Sequence, residues 1–598
     1  MAGRIEDYAL LSDTESAALV GRDGSIDWLT FPRFDSPACF AALLGTPAHG
    51  RWLIAPAVPV VRVERRYRPG TLVLETTFHT AEGTVRLIDC MPVRDRTLQV
   101  ARLVEGVSGR VPMRMELVVR PDYGSIVPWV RRHDGQVRFV AGPDALLLSS
   151  PVPVQPDGWR HVAAFTLATN ESAGFELAWH PSAEPTPELF DVARNVERTT
   201  KWWEEWSSRS RHCGEWTDVV TSSLTVLKGL TYAPTGGIVA AATTSLPEHI
   251  GGERNWDYRY CWLRDATYTL MALLEAGFTA EAAAWREWLL RAVAGRPDQV
   301  QIMYGCAGER RLPEWDVPWL PGYEGSQPVR VGNAAHDQLQ LDVFGEVLDA
   351  LHQAAVAGVG DVDGVTWPLA TALVEHLAEI WRQPDEGIWE VRGGARHFTH
   401  SKVMAWVALD RALRWSELAH LDAPTARWAA LRDEIHAEVL AHGVDDRGVL
   451  VQSYGGTALD ASLLLVPLVG FLPPRDPRVA ATVQAIQREL TEDGFVLRYR
   501  PEHTDDGLAG SEGVFLLCSF WLVDALVVMG RAAEGRALYE RLVALRNDVG
   551  LLAEEWDPVA GRLLGNFPQA FSHIGLVESA MLLTARGGAR HPGARPNP

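Results

Sequence analysis

Cysteine is scarce in this sequence and never placed as metal or disulfide chemistry would need. Six cysteines, Cys39, Cys90, Cys213, Cys261, Cys306 and Cys518, are scattered over 598 residues with no CxxC pair. That spacing argues against a disulfide framework and against a zinc site, and it fits reduced thiols in a cytoplasmic protein. Long apolar runs are lacking too: no uninterrupted stretch reaches the roughly 20 residues of a membrane span. The opening Met-Ala-Gly-Arg-Ile-Glu-Asp-Tyr has no basic segment followed by an apolar one, so no secretory signal is expected. Nor is there an excess of basic charge. Asp and Glu number 76 against 56 Lys and Arg, a net charge of −20. Such a surface disfavours nucleic acid and anionic membranes and favours a small neutral ligand as partner.

What is present is an ordinary globular composition, 47% hydrophobic and 22% charged, with 23 tryptophans. The length predicts more than one domain. Residues from about 60 to 180 read as short strands punctuated by Pro69-Gly70, Glu82-Gly83, Gly142-Pro143-Asp144 and Pro156-Asp157-Gly158. Met113, Met115 and Leu117 alternate with Arg114 and Glu116, one face buried and one wet. An antiparallel β-sandwich is therefore expected over residues 1–185. A proline-rich connection at 180–187 leads to a charged, Trp-bearing linker helix over 186–212. From 213 to 586 the apolar spacing is helical. About a dozen helices joined by long Gly/Pro/Trp-rich loops suit an all-α (α/α)6 barrel with its loops gathered at one mouth. Residues 587–598 read as a disordered tail.

The most informative loop is Asn255-Trp-Asp-Tyr-Arg-Tyr-Cys-Trp-Leu-Arg-Asp265. Arg264 and Asp265 together can bracket a sugar hydroxyl, the guanidinium donating and the carboxylate accepting. Equally, Asp265 can cap the following helix with Arg264 as its structural partner. Tyr323, Arg330 and Asn333 stand on a second rigid turn, Gly322-Tyr-Glu-Gly-Ser-Gln-Pro-Val-Arg-Val-Gly-Asn333. Two carboxyls in one pocket can serve as general acid and general base. Aromatic loops offer Asp385-Glu-Gly-Ile-Trp-Glu390 and Leu551-Leu-Ala-Glu-Glu-Trp-Asp557.

These runs resemble glycoside hydrolase family 15, the glucoamylases and bacterial trehalases. Tyr258 to Asp265 is similar to that family's Tyr-x-Tyr-x-Trp-x-Arg-Asp motif. The resemblance implies that Arg264 and Asp265 hold the terminal glucose, with Tyr258 and Trp262 lining its pocket. It extends to the turn bearing Tyr323 and Arg330. Ile388-Trp389-Glu390 is similar to the segment that carries the general acid, which implies Glu390, with Glu386 as competitor and Trp389 in the pocket. Glu554-Glu555 resembles the Glu-Gln segment of the catalytic base. The first Glu aligns, implying Glu554, and Glu555 stands where the family has Gln. Leu497-Arg-Tyr-Arg-Pro-Glu502 resembles an Arg-Tyr-Pro-Glu loop with Arg500 inserted, leaving either Arg498 or Arg500 to meet the sugar. Gly24–Pro37 resembles the N-terminal domain of the bacterial trehalases.

The resemblance thus implies an inverting exo-acting α-glucoside hydrolase that releases β-glucose. Its acid and base would stand roughly 6.5–9.5 Å apart. The small disaccharide α,α-trehalose is favoured, with α-1,4 or α-1,6 glucosides as the alternative. A phosphorylase and a non-catalytic sugar-binding protein are the remoter rivals. No cofactor or metal is expected. His397-Phe-Thr-His400 reads as helix-start packing, and Asp505-Asp506-Gly507 lacks the remaining ligands of a calcium loop. Homo-oligomerisation is left open. The loop Asp27–Pro37, with Arg33 and Asp35 among aromatics, is expected either to cover the barrel mouth or to be an interdomain packing contact.

Overall fold

A 21-residue strand, Leu98–Val118, organises the N-terminal part of the chain. Its first portion pairs antiparallel with Gly83–Cys90 and Ser172–Pro181. Its second portion pairs with Arg51–Pro56 and Arg160–Ala168. One strand thereby passes from one sheet of the sandwich into the other. The sequence pattern reads it as two strands, because the exposed stretch around Gly109 resembles a turn; Gly109, at φ +72°, bends the strand without ending it. Strands Tyr8–Ser12, Ala17–Gly21 and Ser25–Thr30 escape the sequence reading for a different reason. They are buried on both faces and so lack the alternation that marks a half-exposed strand. The computed structural model describes residues 2–94, 97–133, 135–189, 191–212, 214–360, 366–502, 504, 506–508 and 510–585. The expected tail at 587–598, Cys213 and Asp505 lie outside them. The five described cysteines are unpaired.

Helix α1 (Val192–Ser207) connects the sandwich to a helical body. Asp191 caps it by accepting from the Arg194 N–H, and Trp203 and Trp206 bury its inner face. The helical body comprises α2 (Thr217–Gly229), α3 (Ala266–Glu275), α4 (Thr279–Ala292), α5 (Asp342–Val356), α6 (Thr366–Ile380), α7 (Thr399–Leu418), α8 (Thr425–His442), α9 (Pro477–Glu489), α10 (Leu516–Val528), α11 (Ala532–Val543) and α12 (Ala570–Thr584). Six segments form a closed inner ring: α3, α5, α7, the 3₁₀ segment Ala461–Leu465, α10 and α12, which returns to α3. The remaining six pack outside them. This is the (α/α)6 barrel. Inner helices are buried nearly all round: every residue from Leu516 to Val527 of α10 is buried. Each large side chain so buried contributes about 1.5–3 kcal/mol. The apolar spacing over 459–466 predicts a helix, and the structure has this short 3₁₀ turn there, started by Asp460, whose carboxylate accepts from the Ser462 N–H. Among the described residues no helix is long and apolar enough to cross a membrane.

Connections from inner to outer helices are short, such as 276–278 between α3 and α4 and 529–531 between α10 and α11. The connections back inward are long: 230–265, 293–341, 381–398, 443–460, 490–515 and 544–569. All the long loops therefore leave the barrel at one end. The sandwich braces the same body. Trp28 Nε1 donates to Ala242 O at 2.9 Å, and Arg259 donates to Ser36 O and to the Tyr123 hydroxyl, each at 2.9 Å. Asn547 donates to Tyr8 O at 2.9 Å. The loop Asp27–Pro37 belongs to this bracing. Arg33 pairs with Asp35 at 2.8 Å and with Glu309 of the barrel at 2.7 Å, and lies over the Tyr232 ring. Trp28, Phe31 and Phe34 are buried. The loop is an interdomain packing contact: Arg33 is matched by carboxylates from both domains, and none of its residues is among those that line the main pocket.

Candidate active site

Five of the six long loops line a pocket of about 730 Å³, part of it open to solvent. The first supplies Glu248, Arg254, Trp256, Tyr258, Trp262, Arg264 and Asp265; the third supplies Ile388 to Arg392; the fifth, Arg498, Tyr499, Asp506 and Phe515. Asn333 and Ala335 come from the second, and Gln569 leads into α12 beside Phe571. The fourth loop acts from behind: Asp460 accepts from Trp389 Nε1 at 3.0 Å and fixes that ring.

At the floor, Arg264 donates through Nη1 to Ile388 O at 2.6 Å and meets Glu390 Oε1 at 3.3 Å. Asp265 lies 3.7 Å from Arg264 Nε, an ion pair without a hydrogen bond. Its Oδ1 is buried without a partner. Burial pushes this carboxyl up to about 7 against the pull of Arg264. Trp262 Nε1 donates to Glu390 Oε1 at 2.7 Å, and the Tyr258 ring meets Trp262 edge to face at 5.3 Å. Both partners of Oε1 are groups that only donate, so a protonated Glu390 carries its hydrogen on Oε2. Glu390 adopts a left-handed φ of +58°, unusual for a residue with a side chain. The turn is held by Glu390 N–H to Gly387 O and Val391 N–H to Glu386 O. Such conformations persist where surroundings over-determine them, and here both donors to Oε1 do so.

Glu554 lies deeper, buried behind the wall. Its Oε2 accepts from the Asn566 N–H at 3.3 Å, the Tyr258 side chain lies beside the carboxylate, and Oε1 has no hydrogen-bond partner. Gly565, at φ +73°, makes room: a Cβ there would stand 2.5 Å from Oε2. Burial pushes Glu554 up to about 8, and the neighbouring Glu248 carboxylate adds to the shift. Glu555 points elsewhere. It opens the short strand Glu555–Asp557 and accepts from the Gly513 N–H at 2.8 Å. Glu555 belongs with Glu248 and Glu512 in a buried trio whose oxygens lie within 4.8 Å of one another. Arg498 sits among them, at 2.8 Å from Glu248, 2.5 Å from Glu512 and 3.7 Å from Glu555. Arg254 binds Glu512 at 3.5 Å and Asp506 at 2.7 Å.

Seven of the ten residues singled out from the sequence thus line one pocket: Tyr258, Trp262, Arg264, Asp265, Trp389, Glu390 and Arg498. Glu554 adjoins it through Tyr258. Tyr323 and Arg330 do not line it. The Tyr323 hydroxyl donates to Gly3 O at 3.0 Å and accepts from Arg562, a tie to the other end of the chain. Arg330 stacks on Trp256 and donates to Glu253 O at 2.8 Å, bracing the first loop from outside. Arg500 turns away to Glu489 O at 3.0 Å. Glu386 also lies outside the lining residues. His397 stacks on Tyr454, while His400 is buried in α7, so the two do not converge. Sequence reading missed Glu248, Arg254 and Glu512. These carry charges that matter only because loops 250 residues apart meet at Arg498, and no local pattern marks that.

The family model for glycosyl hydrolases family 15 matches residues 214–581, and the trehalase-like N-terminal model matches residues 1–178. Among curated relatives, the trehalase of Mycobacterium tuberculosis is 41% identical over 609 aligned residues, covering 96% of this chain and 89% of that protein. The trehalase of Thermoplasma volcanium is 34% identical, covering 96% and 93%. A bacterial glucoamylase complexed with acarbose shares the fold, with a TM-score of 0.73 at 12% identity over 98% of this chain and 94% of that one. With the sandwich, the barrel and the mouth-end pocket all in place, the chain belongs to glycosyl hydrolase family 15 and is a glycoside hydrolase.

Proposed function

We propose that the protein hydrolyses α,α-trehalose from one of its glucose ends with inversion at the attacked carbon. The observation that carries this reading is the convergence of Trp262 and Arg264 on one oxygen of Glu390, beside Asp265, at the closed floor of a pocket. Arg264 and Asp265 hold the terminal glucose by its hydroxyls, and Tyr258, Trp262 and Trp389 enclose the ring. Glu390 Oε2 delivers its proton to the glycosidic oxygen as the C1–O bond breaks. Glu554, through its unpartnered Oε1, takes a proton from water as the water oxygen bonds C1 from the opposite face. Glu390 ends ionised and Glu554 protonated, and solvent restores both. Arg498 neutralises the carboxylates behind the pocket wall. The resemblance of both parts of the chain to trehalases supports trehalose over starch-type substrates. On this reading the chain divides into a sandwich over 1–185, a linker helix over 186–212 and the catalytic barrel over 213–586.

Two measurements test it. The specificity constant for trehalose should exceed those for maltose and isomaltose; preference for either of the latter overturns the trehalose assignment. Proton NMR during the first turnovers should show one β-glucose and one α-glucose per trehalose, since the leaving glucose keeps its configuration. Two α-glucose molecules would overturn inversion.

The pH profile offers a further expectation. A base poised near neutrality accepts a proton from water more readily than an ordinary carboxylate. Activity should rise with pH as Glu554 loses its proton, placing the acid limb of kcat/KM well above the usual carboxylate range. Glu248 is the like charge that raises Glu554. Glu248→Gln removes it while keeping an acceptor for Arg498, so the acid limb should move to lower pH. A limb that stays in place excludes Glu554 as the group titrating there.

A further inference from the structure

The rim of the pocket holds a cation that the reaction at the floor does not use. Side-chain exposure orders the charged residues from floor to mouth: Asp265 at 10%, Arg264 at 15%, Glu390 at 19% and Arg392 at 31%. Arg392 follows the acid by two residues, and the left-handed turn at Glu390 carries the chain outward to it. Three contacts hold it there. Its guanidinium lies over the Trp256 ring at 4.3 Å. Nη1 and Nη2 grip Glu314 at 3.3 and 2.9 Å. Its backbone N–H donates to Asp506 O at 2.8 Å. Glu314 is itself anchored by the Ala334 N–H at 3.0 Å. A guanidinium has five N–H groups, and the Glu314 fork occupies two of them.

We propose that Arg392 is the residue that recognises the second sugar, donating to its hydroxyls on the leaving-group side of Glu390. This rests on the reading of Glu390 as the acid. The glycosidic oxygen must lie at Glu390, the first glucose fills the floor, and the remaining ring extends toward the mouth, where Arg392 is the cation that this loop places on the pocket lining. Because Arg392 covers Trp256, this side of the pocket offers the guanidinium's three remaining N–H donors in place of a bare aromatic face. That chemistry suits a polyhydroxylated leaving group and disfavours an apolar one. Glu314 sets the fork's orientation as a positioning residue.

The test compares trehalose with α-glucosyl fluoride, which carries the same first ring and no second sugar. In Arg392→Ala the ratio of kcat/KM for trehalose to that for the fluoride should fall about tenfold to a hundredfold, the scale of a charged hydrogen bond. Arg392→Lys, which keeps the charge but not the fork, should show a smaller fall in the same ratio. A melting curve for each variant shows that folding is retained. A ratio unchanged to within threefold in both variants overturns the assignment, whichever way the separate rates move. Wild-type protein that cleaves neither substrate overturns instead the glucosidase reading beneath it.

Discussion

Glu390→Gln is expected to lower kcat/KM for trehalose by roughly 10²–10⁴, the range typical of a lost general acid. The loss should shrink to less than about tenfold with α-glucosyl fluoride, because fluoride departs with little protonation and makes small demand on an acid. The fold should survive. Glutamine keeps an oxygen at the Oε1 position, where Trp262 and Arg264 donate, and its NH₂ replaces the hydroxyl at Oε2. Oε1 cannot be the amide nitrogen, since two donors would then face a third, so the side chain has one orientation available. The variant is therefore a clean removal of the transferable proton. Equal losses on the two substrates would show that Glu390 holds the sugar and does not protonate the leaving oxygen. Near-normal turnover of trehalose would move the acid elsewhere, and Glu386, four residues earlier, would be the first place to look.

The sequence pattern was most legible where burial is one-sided or complete over a helix length. The outer helices show their stripe, and α10 is buried for twelve residues of which only Ser519 and Asp524 are polar, long enough to be a helix and too short to span a membrane. Strands Tyr8–Ser12 and Ala17–Gly21 were not legible because the same full burial over five residues has no distinguishing period. A comparable limit governs the site. Trp262, Arg264, Asp265 and Glu390 lie in loops dense with aromatic and charged residues, and those loops do reach the pocket. Tyr323 and Arg330 lie in a loop of the same texture, yet their polar groups are claimed by Gly3 O and Glu253 O. Which way such a side chain faces is decided by a partner hundreds of residues away or across a loop. The buried trio around Arg498 shows the converse: Glu248 and Glu512 look like ordinary loop carboxylates in sequence, Glu555 stands out there only as the neighbour of Glu554, and it is their meeting that gives the three their place.

Glu554→Gln should abolish more activity than any other single change apart from Glu390→Gln, and unlike that variant it should gain nothing from the fluoride substrate. Water attack is needed whatever group leaves, so the loss of roughly 10²–10⁴ expected for a general base should appear with trehalose and with α-glucosyl fluoride alike. Glu555→Gln is the control that decides between adjacent carboxylates. The structure separates them by strand alternation: Glu554 adjoins Tyr258 and Asn566, whereas Glu555 turns to Gly513 and the Arg498 trio. Burial and the surrounding carboxylates push the Glu555 carboxyl well above the usual carboxylate range, which favours the neutral form that glutamine resembles. The expected consequence for Glu555→Gln is a modest change in rate, with any penalty showing in melting temperature because Gly513 loses no acceptor but the trio is repacked. If Glu555→Gln is inactive on both substrates while Glu554→Gln turns over trehalose at near the wild-type rate, the base is the second glutamate. Glu554 would then be packing behind the pocket wall and not the proton acceptor.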